Sequence, residues 1–206
     1  MKVRTTLTGT SPMLQHNIRL ANPFDEFARA IAKITSKGSK MTDDDRHEVA
    51  RLEFAGGLYL DSMGEPCVHT AAIRKCFIQT AKYRKLGTHV ARAVVPLGLT
   101  VSLEYDGPRS VEELWKREGF RLSMMVGIGT SKTLRTRPMF PEWGLTADWE
   151  LVTDVMNYDD FQSIVHRAGL IEGLYDNRVN GFGRFTAQVE EVEDERVPTQ
   201  AGRRSR

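Results

Sequence analysis

Residues 2–8 alternate polar side chains with Val3, Thr5 and Leu7, the period of a strand with one buried face. The same alternation returns over 145–152 (LTADWELV) and over 182–189, where the odd positions Phe185, Ala187 and Val189 are the more apolar. Helical spacing predicts a helix from Pro23, with Asn22 as N-cap and a core-facing stripe of Phe24, Phe27, Ala28, Ile31 and Ile34; SKGSK at 36–40 ends it. Thr42 caps a second helix that runs to about Phe54 and stops at Gly56-Gly57. A third is expected over 70–86, buried through Ile73, Cys76, Phe77 and Thr80 and closed by Gly87. Asn157 or Asp159 caps a fourth, whose inner stripe is Phe161, Ile164, Val165 and Ala168.

The stretches between are less regular. Residues 13–22 show no clear period and are expected to be a loop carrying His16 and Arg19. Short strands are expected over 58–60 and 65–68, around a turn at Met63-Gly64. Residues 88–105 are rich in β-formers, and Pro96 and Gly98 split or bend them. Ser110 caps a short helix that Gly119 ends. Residues 120–128 are mostly apolar and so expected to be a central strand; 133–137 continue extended, and 138–141 are irregular.

Composition narrows the class. The chain has 206 residues, a hydrophobic fraction of 40% and a net charge of +2, enough for a real core and bland in total charge. Its distribution is uneven. Acidic residues gather at 43–45 and 190–195, basic ones at 74–85 and 132–137. A local basic face binds nucleic acid even when the total is near zero. Two cysteines make no disulfide framework. The N-terminal residues lack an apolar signal core and no run of about 18 apolar residues occurs, so a cytoplasmic protein with no membrane contact is expected.

Several motifs are near misses. The stretch 127–133 hints at a phosphate loop, but Ser131 stands where the glycine before the lysine belongs, and Val126 where the first glycine belongs. Cys67, His69 and Cys76 lack a paired C-x-x-C, and a thiol in a helix core explains Cys76 better than zinc does. Asp43, Asp44 and Asp45 fit a helix N-terminus better than a divalent metal. No metal or cofactor is therefore expected. A metal-independent ribonuclease needs a base and an acid near a 2′-hydroxyl. His16 is the one catalytic candidate, and nothing in the sequence supplies its partner.

Binding residues are easier to nominate. Residues 169–189 hold Gly169, Gly173, Gly181 and Gly183 with Arg178, Arg184, Phe182 and Phe185. Glycine admits close backbone approach, and arginine beside an aromatic suits a phosphate and a stacked base. Strand parity puts Phe185 on the core side and Arg184 on the other. Arg74, Lys75, Lys82 and Lys85 share one arc of the third helix, where a phosphate track and a solvated face are both open readings. Arg135 and Arg137 share a face of an extended segment, either a contact to a nucleic-acid backbone or a charged edge strand.

The order strand, last helix, glycine-rich loop, then Gly181-Phe182-Gly183-Arg184-Phe185 leading into a strand resembles the RAMP superfamily, the CRISPR-associated repeat-binding proteins. With Gly173, these residues carry the resemblance. It implies an α+β, RRM-like or ferredoxin-like antiparallel sheet, with helices on one face and a large helical and β-hairpin insertion. Residues 1–190 would form one domain with the insertion at about 23–140. The core sheet would come from 2–8 and the last third, and 191–206 would be a charged tail, disordered on its own. The resemblance implies RNA binding; some members line up along a guide RNA and others cleave RNA without a metal.

The expectation is a non-catalytic binder of single-stranded RNA, or of single-stranded DNA, working as a homo-oligomer or ribonucleoprotein subunit. Arg178 and Arg184 grip phosphates, Phe182 stacks or braces, and Gly181 and Gly183 shape the loop. Arg74, Lys75, Lys82, Lys85, Arg135 and Arg137 extend the track, with Arg19 beside it. The alternatives are an endoribonuclease using His16 and a self-associating phage structural or assembly protein, a phage or mobile-element relative of the family.

Overall fold

The computed structural model describes residues 1–128 and 131–193. In chain order the elements are β1 (Lys2–Gly9), β2 (Met13–Leu14), α1 (Glu26–Thr35), α2 (Asp43–Gly57) and β3 (Cys67–His69), then α3 (Thr70–Lys82), α4 (Gly87–Ala93), β4 (Val94–Pro96), β5 (Thr100–Ser102) and α5 (Val111–Lys116). The chain continues through β6 (Arg121–Ile128), β7 (Ser131–Phe140), β8 (Gly144–Leu151), α6 (Tyr158–Ile171) and β9 (Phe185–Val192). Residues 194–206 of the expected tail lie outside the described residues.

The main sheet has the order β4-β8-β1-β9, every neighbour antiparallel. The path β1–α3–β4 followed by β8–α6–β9 interleaves two βαβ units, which defines a ferredoxin-like α+β fold. Alternation builds it. Val3, Thr5 and Leu7 lie opposite Trp149, Ala147 and Leu145, and all six are buried. Thr5 is a polar group in this layer, and its hydroxyl is satisfied: it donates to the Ala147 carbonyl at 3.3 Å and accepts from Trp149 Nε1 at 2.9 Å. Over this face lie α3 and α6. Phe77 meets Trp149 and Phe161 edge-on, with centroids 5.7 and 5.9 Å apart. Gly169 lets α6 press on β9: a Cβ there would stand 1.8 Å from the Phe185 carbonyl oxygen.

The opposite sheet face is polar. Arg4 makes a two-point contact with Asp148 at 2.7 and 3.0 Å, and Thr6, Thr8, Thr186, Gln188 and Glu190 continue it. Among the described residues it offers no aromatic platform for a base. A second layer is made by β2-β7-β6, with α2 packed on β7. Glu53 of α2 is buried; its carboxylate accepts from Arg135 and from the Thr136 amide at 2.8 Å.

Several expectations are corrected. The first helix begins at Glu26, not Pro23, because the Asp25 side chain accepts from the Phe27 amide at 2.9 Å and caps it. Its apolar stripe is not core: no residue of α1 is buried and Phe24 is 88% exposed, since α1 rests on α2 at the edge of the molecule. Residues 13–22 are not plain loop; they hold β2 and a 3-10 turn at Ile18–Ala21. The third helix stops at Lys82, and Lys85 takes the left-handed conformation (φ +60°) that a glycine is expected to take there. Gly87 opens α4, so 88–93 are helix rather than strand; Val90 and Ala93 are buried beside α3, and packing overrides their β-preference. β6 is an edge strand with Met125 exposed, not a central one. Pro138 to Phe140 belong to β7, and the last strand starts at Phe185 rather than Phe182. The middle of the chain also supplies part of the main layer, namely α3 and β4.

Candidate functional site

The glycine loop between α6 and β9 is sewn to the segment after β1. Gly183 N–H donates to the Pro12 carbonyl at 2.8 Å, Ser11 Oγ to the Gly181 carbonyl at 2.7 Å, and Asp176 N–H to the Leu14 carbonyl at 3.0 Å. Gly183 is required here. Its φ is +68°, and a Cβ would lie 2.1 Å from the Leu174 carbonyl oxygen. Gly181 also has a left-handed backbone, with open space where a Cβ would be. Phe182 is half-buried. Arg184 precedes β9, outside the strand whose parity sets its expected direction, and its guanidinium is engaged: it donates to the Leu170 carbonyl at 2.8 Å and the Arg178 carbonyl at 2.9 Å. It thereby ties the loop to the end of α6. Arg178 pairs loosely with Glu172 at 3.4 Å and keeps 38% of its side chain exposed.

This arrangement brings the loop against His16, which follows β2. A cleft of about 220 Å³ opens there, lined by His16, Tyr59, Lys75, Tyr175, Asp176 and Arg178. The rings of Tyr59 and Tyr175 stack at 4.9 Å, and His69 lies edge-on to Tyr59 at 4.9 Å. Tyr175 Oη accepts from the His69 amide at 3.0 Å. Burial pushes both phenols above their ordinary range. His16 is pulled below its ordinary value of 6.5, first by desolvation and then by the Arg137 cation, so its imidazole is neutral at pH 7.

A second and larger groove, about 660 Å³, adjoins the other side of His16, between α1 and the β6–β7 hairpin. Arg135 and Arg137 line it, and each has a carboxylate partner: Glu53 for Arg135, Asp176 for Arg137. The structure thus gathers His16, Lys75, Arg178, Arg135 and Arg137 around two neighbouring clefts.

The remaining nominated cations are elsewhere. Arg74 folds back to the carbonyls of Val94 (2.7 Å) and Ala91, closing the end of α4 instead of facing solvent. Lys82 and Lys85 flank a separate shallow depression with Ile78. Arg19 is held by Asp25 at 2.8 Å and Glu26 at 3.2 Å, over the Phe27 ring. Thr42 and Asp45 form a reciprocal cap at the start of α2, which accounts for the acidic run at 43–45. Cys76 lies in the core between α3 and α6, and burial raises its thiol to about 12 and that of Cys67 to about 11. Among the described residues, no group of three or more His, Cys, Asp or Glu side chains could hold a metal ion.

Sequence reasoning missed Tyr59, Tyr175 and Asp176. Tyr175 and Asp176 stand inside the glycine loop, flanked by Leu174 and Asn177, and that position is the only signal the sequence offers for them. Nothing local marks Tyr59.

Fold and site together describe a ferredoxin-like domain with a cationic, tyrosine-lined cleft at the glycine loop. No protein-family model matches the chain, and no curated protein matches it. Solved structures do resemble it. One is a chain of the Type III-B Cmr-beta bound to cognate target RNA, at 12% identity and a TM-score of 0.47 over 92% of this chain. This chain spans 59% of the length of that one. Another is Cmr6 from Pyrococcus furiosus, at 12% identity and a TM-score of 0.34, covering 91% of this chain and 98% of that one. The fold assignment rests on the strand order of this chain. Among the described residues no helix is long and apolar enough to cross a membrane.

Proposed function

We propose that this chain is a single-stranded nucleic-acid-binding protein of the RAMP type, with RNA preferred, serving without catalysis as a ribonucleoprotein subunit or homo-oligomer in the cytoplasm. Residues 1–190 act as one domain in this reading. The observation that carries it is the convergence of Lys75, from α3, and Arg178, from the glycine loop, on a cleft walled by the stacked Tyr59 and Tyr175. Lys75, which is exposed, and Arg178, which Glu172 holds only loosely at 3.4 Å, suit phosphates, and an aromatic pair suits a base of any sequence. The polar open sheet face has no such pair, so the binding path is drawn at the loop end of the molecule. Arg184 has a supporting part in this reading, since its donors are already in use.

The test is fluorescence anisotropy with labelled single-stranded RNA and DNA of one sequence across a salt series. Lys75→Ala with Arg178→Ala is expected to weaken RNA binding by about tenfold or more and to flatten the salt dependence by ~0.7 for each phosphate no longer neutralised. Affinity and slope that match the unaltered protein would remove these residues from the interface.

One observation favours a second reading. The structure gives His16 the neighbours that the sequence lacked: a neutral imidazole beside Lys75 and Arg178. Such a base could take the proton of a 2′-hydroxyl, which then attacks the adjacent phosphate. The P–O5′ bond breaks as the 5′-oxygen takes a proton from the Lys75 ammonium, and a 2′,3′-cyclic phosphate forms. Cleavage of labelled RNA in EDTA that disappears in His16→Ala would establish the enzyme over the binder.

A further inference from the structure

Asn180-Gly181 is the one asparagine–glycine pair in the chain, and it lies in the glycine loop between Arg178 and Arg184. The side-chain amide of an asparagine is open to attack by the main-chain nitrogen of the next residue. A glycine there removes the Cβ that hinders the approach and frees the backbone to turn. Asn17, Asn22, Asn157 and Asn177 are followed instead by Ile18, Pro23, Tyr158 and Arg178.

The local structure leaves the pair accessible. Asn180 is exposed, and Gly181 has φ +87° with open space where a Cβ would be. The 3-10 turn Arg178–Asn180 that presents them contains no buried residue. The Gly181 amide is restrained by a hydrogen bond to the Arg178 carbonyl at 3.0 Å, and Asn180 Nδ2 donates to Asn177 Oδ1 at 2.6 Å within the same turn. The Arg178 carbonyl also accepts from Arg184 Nη2 at 2.9 Å, so it keeps a partner when the Gly181 N–H turns away. The guanidinium that shares this acceptor is a cation beside the amide that must lose its proton, and a cation there favours the anionic nitrogen.

We infer that Asn180 is a deamidation site, and that the carboxylate it yields weakens the loop's hold on an anionic strand. The Gly181 nitrogen gives its proton to water and bonds to Asn180 Cγ. The Cγ–Nδ2 bond breaks, and ammonia leaves with a proton from water. Water then opens the cyclic imide at Cγ to give aspartate, or at the main-chain carbonyl carbon to give isoaspartate. In sum, water is consumed and ammonia released, with no change of oxidation state. Aspartate keeps the path of the chain. Isoaspartate lengthens it inside a turn that Ser11 Oγ pins through the Gly181 carbonyl. Either product adds a negative charge to the turn that carries Arg178, which Glu172 holds only at 3.4 Å, and to which Arg184 is tied through uncharged carbonyls. The effect on binding rests on the nucleic-acid reading above; the deamidation does not.

The test ages the full chain at mildly alkaline pH and maps it by tandem mass spectrometry. Asn180 is expected to convert at least about tenfold faster than any of the other four asparagines. Enzymatic methylation of isoaspartate is expected to label the peptide that holds position 180, and Asn180→Ser to abolish that label. Anisotropy with single-stranded RNA then compares Asn180→Asp with the uncharged Asn180→Ser. The aspartate variant is expected to bind about threefold more weakly at low salt, the size of one like charge ~7 Å from a phosphate in water, and the gap is expected to close as salt rises. Aged against fresh protein makes the same comparison without a substitution. Conversion of Asn180 no faster than that of the other asparagines overturns the site. Equal affinity of Asn180→Asp and Asn180→Ser, or of fresh and converted protein, overturns the effect on binding and leaves the nucleic-acid reading standing. Failure of the unaltered protein to bind any single strand overturns that reading and the effect with it, while the mass spectrum still decides the site.

Discussion

At the scale of single residues, Glu53 has two separate jobs. One carboxylate oxygen answers Arg135 and the other accepts the amide of Thr136, while only 5% of the side chain is exposed. Removing the carboxylate strands a partly buried guanidinium and a buried amide together. Glu53→Ala is therefore expected to destabilise the protein by about 3–5 kcal/mol. Glu53→Gln keeps an acceptor and a similar shape, and should cost less than Glu53→Ala. Urea unfolding followed by circular dichroism ranks the two, and an alanine variant as stable as the glutamine one would remove the ion pair from the account of how α2 is held on β7. Arg135 and Arg137 share a face of β7, as their spacing predicts, but their acidic partners come from residues 53 and 176. That pairing is a property of the assembled layers and has no signature near either arginine.

Among the elements, the connection from α3 to α4 shows how a helix can end without the residue that usually ends it. Lys85 occupies the left-handed position, and a non-glycine residue there costs roughly 1–2 kcal/mol. Lys85→Gly is expected to stabilise the protein by up to about 1 kcal/mol once the added freedom of the unfolded chain is counted. If Lys85 is retained for its charge, the same variant binds nucleic acid more weakly while melting higher; thermal unfolding and anisotropy on one sample read both. A lower melting temperature would show that the lysine is not strained there. The elements that alternation or a helical stripe predicts with a buried partner on the other side are found: β1, β8, β9 and α6. The failures share a cause. Residues 88–93 read as strand from Val and Thr content, yet Val90 and Ala93 are buried in a helix beside α3. The stripe of α1 reads as core because periodicity reports which side is apolar, not whether anything covers it. The same limit applies to β6, whose apolar run lies on an edge. For the site, Arg178, Lys75 and His16 were legible as chemistry in suitable places. Their convergence with Tyr59 and Tyr175 depends on how the loop after α2 meets the glycine loop, and no spacing in the chain encodes that.

For the whole molecule, the displaced proton affinities combine into one pH profile of stability. His16 has a folded value below its ordinary 6.5, so the unfolded chain takes up a proton before the folded one does. Its contribution is intact above about 6.5, is lost as pH falls through the depressed value, and is modest because His16 is exposed and solvent screens it. Asp45, Glu48 and Asp148 are likewise held below their ordinary values, each by its cationic partner first: Lys37, Arg51 and Arg4. Their contributions persist above the ordinary carboxylate range and are lost on further acidification; because these groups are only partly buried, solvent screens them and the effect is small. On the alkaline side the direction reverses. Burial raises Cys67 to about 11 and Cys76 to about 12, so the unfolded chain loses thiol protons first, from about 9 upward. The thiol contribution is complete below 9 and falls as pH rises through 11 to 12. The expected profile is a plateau between about 6.5 and 9, with a decline on either side. Urea midpoints measured at closely spaced pH values map it. His16→Gln should remove the first part of the acid decline, just below 6.5, and leave the lower, carboxylate part. A decline just below 6.5 that survives His16→Gln would mean that the proton is taken up elsewhere, and His16 would lose its standing as a neutral base at the junction of the two clefts.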